Sequence, residues 1–155
     1  MLQEMLQQIS PLDSAAMETA RQHWDAIAKP LHSLGRLEDL VVQLAGITGT
    51  ANLPPRKKAV LIFCADNGIV EEGVSQTGQE VTLEVAKSMA RKGSSVCKMA
   101  QSIGAETIPV DIGINSEESI PGVLDRKVRP GTRNFWKEPT MTEEETVRAI
   151  VTGIE

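Results

Sequence analysis

The sequence has 155 residues, of which 41% are apolar, and this suits one soluble globular domain of ordinary size with a buried core. Its formal net charge of −5 argues against a nucleic-acid partner and a membrane-surface role, because both require a basic face. Neither a signal peptide nor a membrane-length apolar run is recognisable, and Cys64 and Cys97 lack a CxxC spacing. We therefore expect a reduced, cytoplasmic chain with two buried thiols.

Two helices are predicted ahead of any strand. The first has Asp13 or Ser14 as its N-cap and ends before Pro30. Its apolar face consists of Ala16, Ala20, Trp24 and Ile27. The second spans residues 34–47, ends before Gly49, and has an apolar stripe made of Leu37, Leu40, Val41, Leu44 and Ile47. We assign residues 1–50 to a smaller helical subdomain.

The rest of the chain is predicted to form the amino-terminal part of an α/β parallel-sheet domain, residues 51–155. NLPPRKK, residues 52–58, is predicted to be a loop, and AVLIFCA follows as a strand. Because that strand lacks polar alternation, we expect cover on both faces. Helices follow over residues 81–91 and from Ser94 or Ser95 to about residue 103, before a second strand, AETIPVDIG. This order indicates a right-handed parallel unit in a three-layer, Rossmann-like sheet.

The segment after Gly113 is polar and irregular. KVRPGTRNF holds too few apolar residues to predict a strand. A final helix is predicted to begin with Thr142 as its N-cap and Glu145 at the capping-box position.

Two aspartates follow directly on predicted strands, Asp66 in CADNG and Asp111 in VDIG. The carboxyl ends of parallel strands meet at one sheet edge, where ligands of such folds bind. The carboxylates could therefore share a site, either with a metal ion or through hydrogen bonds to a sugar or base. The simpler interpretation is that each carboxylate accepts backbone N–H groups in its own turn. The residues alone leave these alternatives open.

Four successive segments resemble one known family: KPLHSLGRLEDLVVQLAGITG, VLIFCADNGIVEEGVS with EVT shortly after, GAETIPVDIGI, and GTRNFWKEPTMT. They occur in the order found in the nicotinate-nucleotide:dimethylbenzimidazole phosphoribosyltransferases of cobalamin assembly, and the resemblance extends from about Leu12 to the last residue. It implies transfer of a phosphoribosyl group from nicotinate mononucleotide to dimethylbenzimidazole or a related base, with release of nicotinate. No metal or organic cofactor is implied, and a homodimer is expected.

The resemblance also implies that this chain is the amino-terminal half of such an enzyme. In the family, the base-activating glutamate and the glycine-rich phosphate-binding segment come later than the position matched by Glu155. We therefore expect a truncated chain that contains no catalytic residue and is inactive by itself.

The resemblance places the base pocket in the segment that follows the first strand. A family serine falls on Thr77 and a family glutamine on or near Val85. Asp66, Asn67 and Ser75 complete the predicted substrate-binding set. Asn67 stands where the family usually has histidine, and His32 stands in place of a glycine, so the identity of the acceptor base is left open.

Two other functions are carried as alternatives. One is a non-catalytic partner or binding subunit, which would need a second chain for activity. The other is a metal-dependent hydrolase that uses Asp66 and Asp111.

Overall fold

The structure is a computed structural model that describes residues 2–53 and 57–155 and divides into two compact units, residues 1–56 and 57–155. The first unit contains α1 (Leu2–Gln7), α2 (Ser14–Ala26) and α3 (Arg36–Thr48). The second contains β1 (Lys58–Ala65), a 3₁₀ turn (Gly68–Glu72), α4 (Glu80–Ala90), α5 (Ser95–Ser102), β2 (Ala105–Gly113), β3 (Leu124–Asp125) and α6 (Glu143–Ile154). The middle of the loop predicted over residues 52–58 lies outside the described residues.

Helix α2 begins where the sequence predicts. Asp13 is its N-cap, and the Asp13 carboxylate accepts a hydrogen bond of 3.0 Å from the Ala16 backbone N–H. Such a bond satisfies one of the free N–H groups in the first turn of a helix. Ala16 and Ala20 are buried, as expected from the apolar face.

Helix α3 buries a different face from the predicted one. Its buried residues are Glu38, Val42, Ala45 and Gly46, whereas Leu37, Leu40, Leu44 and Ile47 of the predicted stripe are between 48% and 61% exposed. The close approach of α2 explains why this face of α3 is the buried one, since a Cβ added at Gly46 would lie 2.7 Å from Met17. Only small residues permit α2 and α3 to approach this closely.

The buried carboxylate of Glu38 is compensated by an ion pair and a hydrogen bond. Its carboxylate lies 2.8 Å from the Lys29 ammonium and accepts a hydrogen bond of 3.1 Å from the Leu34 backbone N–H. The hydrogen bond from Lys29 lowers the pKa of Glu38 below its ordinary value. The pair ties the segment between α2 and α3 to the start of α3.

The three strands form a parallel sheet in the order β1-β2-β3. Lys58 pairs with Ala105 and Cys64 with Asp111, but Ala65 pairs with Gly113, so β2 has one extra residue at its carboxyl end. This bulge leaves the Gly113 carbonyl free to accept hydrogen bonds of 3.0 Å from both Asp66 and Gly131 backbone N–H groups. The parallel pairing of β1 and β2 is confirmed, whereas β3 was not predicted.

One face of the sheet packs against α4 and α5. Cys64 of β1 lies in a buried cluster with Ala86 and Met89 of α4 and with Cys97 of α5. Both cysteines are free and buried, as predicted. The expectation that β1 is covered on both faces is wrong for this chain, because Leu61 and Phe63 on the other face are 57% and 49% exposed.

Helix α6 has the predicted start. The Thr142 hydroxyl accepts a hydrogen bond from the Glu145 N–H, and the Glu145 carboxylate accepts one from the Thr142 N–H. This reciprocal pair is the capping box. Over residues 2–53 and 57–155, the structure contains no helix with the length and apolar character needed to cross a bilayer.

Candidate functional site

The carboxyl edge of the sheet brings Asp66 and Asp111 to neighbouring strand ends. Asp66 is 4% exposed, and its carboxylate accepts a hydrogen bond of 2.8 Å from the Asn115 backbone N–H. The Asp66 carbonyl also accepts a bond of 2.9 Å from the Thr132 N–H. Asp66 therefore joins three segments of the chain at this edge: its own turn, the turn after β2 and residues 131–134.

Asp111 has partners for both carboxylate oxygens. Oδ1 accepts backbone N–H groups from Gly113 at 3.0 Å and Ile114 at 2.8 Å, and Oδ2 lies 3.2 Å from the Lys127 ammonium. Lys127 also donates to the Ser116 carbonyl. Among the described residues, no group of three or more His, Cys, Asp or Glu side chains is arranged to hold a metal ion. For Asp111 these hydrogen bonds agree with the interpretation that the carboxylate accepts N–H groups of its own turn. The Asp66 carboxylate differs from that interpretation, because it accepts the N–H of Asn115 in the turn after β2.

Gln79 joins the two loops that leave this edge. Its side-chain amide nitrogen donates to the Asn67 carbonyl at 3.1 Å, and its amide oxygen accepts from the Asn115 side chain at 2.6 Å. Gln79 directly precedes α4, so it also connects the loop after β1 to that helix. Neither Gln79 nor Asn115 is recognisable as a site residue from the sequence, because neither belongs to a local motif and their contact spans thirty-six residues along the chain.

The other predicted substrate-binding residues lie on more open parts of the chain. Asn67, Ser75 and Thr77 are exposed, and the Ser75 hydroxyl accepts a hydrogen bond of 3.3 Å from the Thr77 backbone N–H. Val85 lies on α4 and is 45% exposed. The structure therefore groups Asp66, Asn67 and Asp111 at the edge, while Ser75 and Thr77 lie further along the loop.

Residues 131–134 pack directly under the loop after β1. The Thr132 hydroxyl accepts a hydrogen bond of 3.2 Å from the Gly68 N–H. A Cβ at Gly68 would lie 2.6 Å from backbone atoms of Thr132 and Arg133, so this contact requires glycine. Asn134 is 5% exposed and donates a hydrogen bond of 2.5 Å to the Glu72 carboxylate. The start of the loop is thus held by main-chain and side-chain contacts.

An arginine–carboxylate pair connects these residues to α6. The Arg133 guanidinium donates to both oxygens of Glu145, at 2.8 and 3.4 Å. The hydrogen bond from Arg133, assisted by the Thr142 backbone N–H, lowers the pKa of Glu145 to about 2. Arg129 lies 3.9 Å from the same carboxylate. The pair orients the first turn of α6 toward the carboxyl edge.

An apolar cleft of about 130 Å³ lies beside this edge. It is lined by Ala65, Ile112, Gly113, Val128, Arg129, Gly131, Thr132, Met141 and Ala149. Ser75, Thr77 and Val85 do not line it. A second cleft, of about 120 Å³, includes Asp111 and Lys127 among its lining residues.

Comparison with known proteins identifies relatives over the whole chain. A family model described as phosphoribosyltransferase matches residues 9–155. Nicotinate-nucleotide–dimethylbenzimidazole phosphoribosyltransferase of Clostridium perfringens (strain ATCC 13124) is 43% identical over 155 residues, which are 100% of this chain and 43% of the relative. The Escherichia coli (strain SE11) protein of that name is 41% identical over 151 residues, which are 97% of this chain and 42% of the relative.

A solved structure agrees with these matches. The crystal structure of the phosphoribosyltransferase of the same name from Thermus thermophilus has a TM-score of 0.79 and 36% sequence identity. The match covers 92% of this chain and 43% of that chain. This chain thus spans less than half the length of the curated relatives and of the solved structure. From the family match and the identity to these relatives, the chain belongs to the nicotinate-nucleotide–dimethylbenzimidazole phosphoribosyltransferase family.

Proposed function

We propose that this chain is the acceptor-binding part of a phosphoribosyltransferase that uses nicotinate mononucleotide as donor and dimethylbenzimidazole, or a related base, as acceptor in cobalamin lower-ligand assembly. The observation that carries the proposal is the 43% identity to the Clostridium perfringens relative over all 155 residues. The proton acceptor and the phosphate-binding segment are expected in the part of the relatives that this chain does not match.

The proposed reaction depends more on the positioning of the two substrates than on activation of the leaving group. The bond between the ribose anomeric carbon and the nicotinate ring nitrogen breaks, and its electron pair leaves with nicotinate as a neutral ring. A ring nitrogen of the acceptor base forms the new bond on the opposite face of the ribose, and the base gives up one proton. Alignment of the two rings and removal of that proton supply the rate enhancement.

Thr77 and Ser75 are proposed to contact the acceptor base through their hydroxyl groups, with Asp66, Asn67 and Val85 around it. Support comes from the loop's position, since Asp66 and Gln79 anchor its two ends at the carboxyl edge of the sheet. Ligands of doubly wound folds bind at such an edge. The Asp66 and Asp111 carboxylates engage backbone and lysine donors, and this arrangement gives no support to the hydrolase alternative.

Self-association is part of the proposal. The exposed residues Leu37, Leu40, Leu44 and Ile47 form one stripe on α3, which suits an isologous contact between two copies. We propose a homodimer that uses this helix, with residues 1–50 as a helical subdomain and residues 51–155 as part of the sheet domain. The two buried free thiols fit a reducing cytoplasmic compartment.

A chimeric enzyme tests the proposed function. It joins this chain to the part of the Clostridium perfringens relative that the chain does not match. We expect the chimera to release nicotinate from nicotinate mononucleotide only when dimethylbenzimidazole or a related base is present, and we expect this chain alone to release none. A folded chimera without turnover on any such base would contradict the assignment, as would turnover by the chain alone at the rate of a full-length relative.

A further inference from the structure

Three carboxylates in the described part of the chain are buried, and one of them has no cationic partner there. Glu38 is 6% exposed and lies 2.8 Å from the Lys29 ammonium. Asp111 is 5% exposed and lies 3.2 Å from the Lys127 ammonium. Asp66 is 4% exposed, and no lysine, arginine or histidine among the described residues forms an ion pair with it. Asp66 is therefore a buried negative charge that its described surroundings do not neutralise.

Hydrogen bonds to the Asp66 carboxylate do not replace the missing cation. Oδ2 accepts one bond, of 2.8 Å from the Asn115 backbone N–H, and Oδ1 accepts none from the described residues. By comparison, the Asp111 carboxylate accepts two backbone N–H groups in addition to its ion pair. An ionised carboxylate that is buried with a single neutral donor lowers the stability of a fold. The free oxygen of Asp66 is thus available to a ligand.

The surrounding loops hold this carboxylate in one orientation. Asn115, whose backbone binds Asp66, donates from its side chain to the Gln79 amide oxygen at 2.6 Å. The Gln79 amide nitrogen in turn donates to the Asn67 carbonyl at 3.1 Å. Because Asn67 follows Asp66 in the chain, these contacts form a closed ring of four residues. A charge that is fixed in this way can stabilise an opposite charge without first rearranging.

The end of β1 has a negative potential even beside a lysine. Burial raises the pKa of the Cys64 thiol, and the charges of Asp111 and Asp66 raise it further. Cys64 lies two residues before Asp66 in the chain. Although Lys127 pairs with Asp111, the local field still disfavours a second negative charge. A ligand at this edge is therefore favoured if it brings a positive charge.

The substrates of the proposed function carry such a charge. The ring of nicotinate mononucleotide is a pyridinium cation. When its nitrogen separates from the anomeric carbon, the ring becomes neutral and positive charge develops on the ribose. The charge passes to the acceptor base with the new bond and is lost with the proton of that base. Because the two rings lie on opposite faces of the ribose, a carboxylate beside the acceptor base is also close to the anomeric carbon.

We propose that the Asp66 carboxylate is the fixed negative charge that stabilises the cationic ribosyl centre of the donor as nicotinate leaves. It acts by its charge and accepts no proton, so the proton acceptor is still expected in the part of the relatives that this chain does not match. The proposal rests on the proposed function for the identity of the substrate. It gives this chain a residue that acts on the reacting atoms, whereas the family resemblance led us to expect none.

Urea denaturation of the chain by itself distinguishes this role from a structural one. Asp66→Asn keeps an oxygen for the Asn115 N–H and removes the charge, so we expect a urea midpoint equal to that of the wild type or higher. Asp111→Asn is the comparison, because it leaves Lys127 without its partner and should lower the midpoint. An unfolded Asp66→Asn variant, or one with a lowered midpoint, would identify a structural carboxylate and overturn the proposal.

Steady-state kinetics of the chimeric enzyme test the effect on the reaction. We expect Asp66→Asn to lower kcat for nicotinate release by about 100-fold or more and to change the KM of the acceptor by less than about twofold, because the charge acts where positive charge develops. Asp66→Glu restores the charge and should recover part of the kcat. Asp125→Asn is the matched control, since it removes an exposed carboxylate at the end of β3 and should keep the wild-type kcat. An unchanged kcat in a folded Asp66→Asn chimera would contradict the proposal.

Calorimetric binding separates this inference from the proposed function. The probes are nicotinate mononucleotide and its dihydropyridine form, whose ring has a similar size and no positive charge. We expect the wild-type chimera to bind the cationic form at least about tenfold more tightly, and we expect Asp66→Asn to lose this preference. A preference of equal size in both proteins would contradict the role of Asp66 and leave the proposed function in place. A folded wild-type chimera that shows the preference but turns over no base would contradict the proposed function alone.

Discussion

Gly68→Ala is expected to separate the loop after β1 from residues 131–134. The new Cβ would lie 2.6 Å from the Arg133 carbonyl carbon and the Thr132 carbonyl oxygen, and 2.7 Å from the Asn134 nitrogen. Ordinary contacts between such atoms begin near about 3.5 Å. All three atoms belong to the backbone, so no side-chain rotation relieves the overlap and one segment must move by roughly 1 Å.

The size of the effect follows from what that movement disrupts. Overpacking alone costs about 1–3 kcal/mol. The shift also weakens two hydrogen bonds, from Gly68 N–H to the Thr132 hydroxyl at 3.2 Å and from Thr132 N–H to the Asp66 carbonyl at 2.9 Å, each of them worth about 0.5–1.5 kcal/mol. With both hydrogen bonds lost, we expect the free energy of unfolding to fall by about 2–6 kcal/mol in total.

Urea denaturation followed by circular dichroism measures this change. Gly153→Ala is the matched control, because a Cβ at Gly153 in α6 meets no atom within 4 Å. That substitution should stabilise the helix by about 0.5–1 kcal/mol, since glycine is the poorer helix former. A Gly68→Ala variant within about 0.5 kcal/mol of the wild type would show that residues 131–134 move freely and would refute the packing argument.

Three further predictions concern the same edge. Arg133 lowers the pKa of Glu145 to about 2 from an ordinary value of 4.5. The ion pair should therefore stabilise the fold fully above about pH 4.5 and lose this contribution as the pH falls toward 2. Acid titration of the wild type and of Glu145→Gln measures the difference in stability. Asp111→Asn keeps a carbonyl oxygen for the backbone donors but removes the ion pair with Lys127, so the free energy of unfolding should fall by about 1–3 kcal/mol in urea titrations. In the chimeric enzyme, Thr77→Val should lower acceptor affinity by about 0.5–1.5 kcal/mol and leave donor affinity unchanged in steady-state kinetics.

Each of these has a control and a contrary outcome. For the acid titration, Glu143→Gln is the control: it removes an acidic residue from the same helical turn and should keep the wild-type dependence of stability on pH. A wild-type stability that does not change between about pH 4.5 and 2 would contradict the role of Arg133. Asp125→Asn alters an exposed carboxylate nearby and should leave stability near that of the wild type. Thr77→Ser retains the hydroxyl and should restore acceptor affinity. Equal acceptor affinity in Thr77→Val and wild type would remove Thr77 from the base pocket.

Local signals in the sequence correctly predict the helices whose first turn is capped by a nearby side chain. The caps at Asp13 and Thr142 are correct because the hydrogen bonds that define them lie within three residues. Strand β2 also matches its predicted bounds. Helix α3 shows the limit of this approach. A leucine stripe predicts burial, but the small residues Ala45 and Gly46 let α2 approach the other face, and a pattern of hydrophobicity does not report closeness of packing.

The candidate site was predictable only in part, for a related reason. Asp66 and Asp111 could be placed at one edge because parallel strands end together. Gln79 and Asn115 could not, since their hydrogen bond depends on how two loops meet in space. Strand β3 was missed because two residues give no periodicity, and its pairing is provided by β2. The exposed face of β1 was missed because a continuous apolar run looks the same whether its cover comes from this chain or from another.

The bulge at the end of β2 has a consequence for how the loop after β1 can vary in sequence. The Gly113 carbonyl binds the backbone N–H groups of both Asp66 and Gly131, and the Asp66 carbonyl binds that of Thr132. These bonds join main-chain atoms, so side-chain replacements in the loop after Gly68, residues 69–79, do not remove their donors or acceptors, whereas Gly68→Ala displaces Thr132. The edge of the sheet can therefore keep its main-chain geometry while the sequence of this loop varies. If the loop holds the proposed base pocket, a change in the choice of base requires no compensating mutations in the strands.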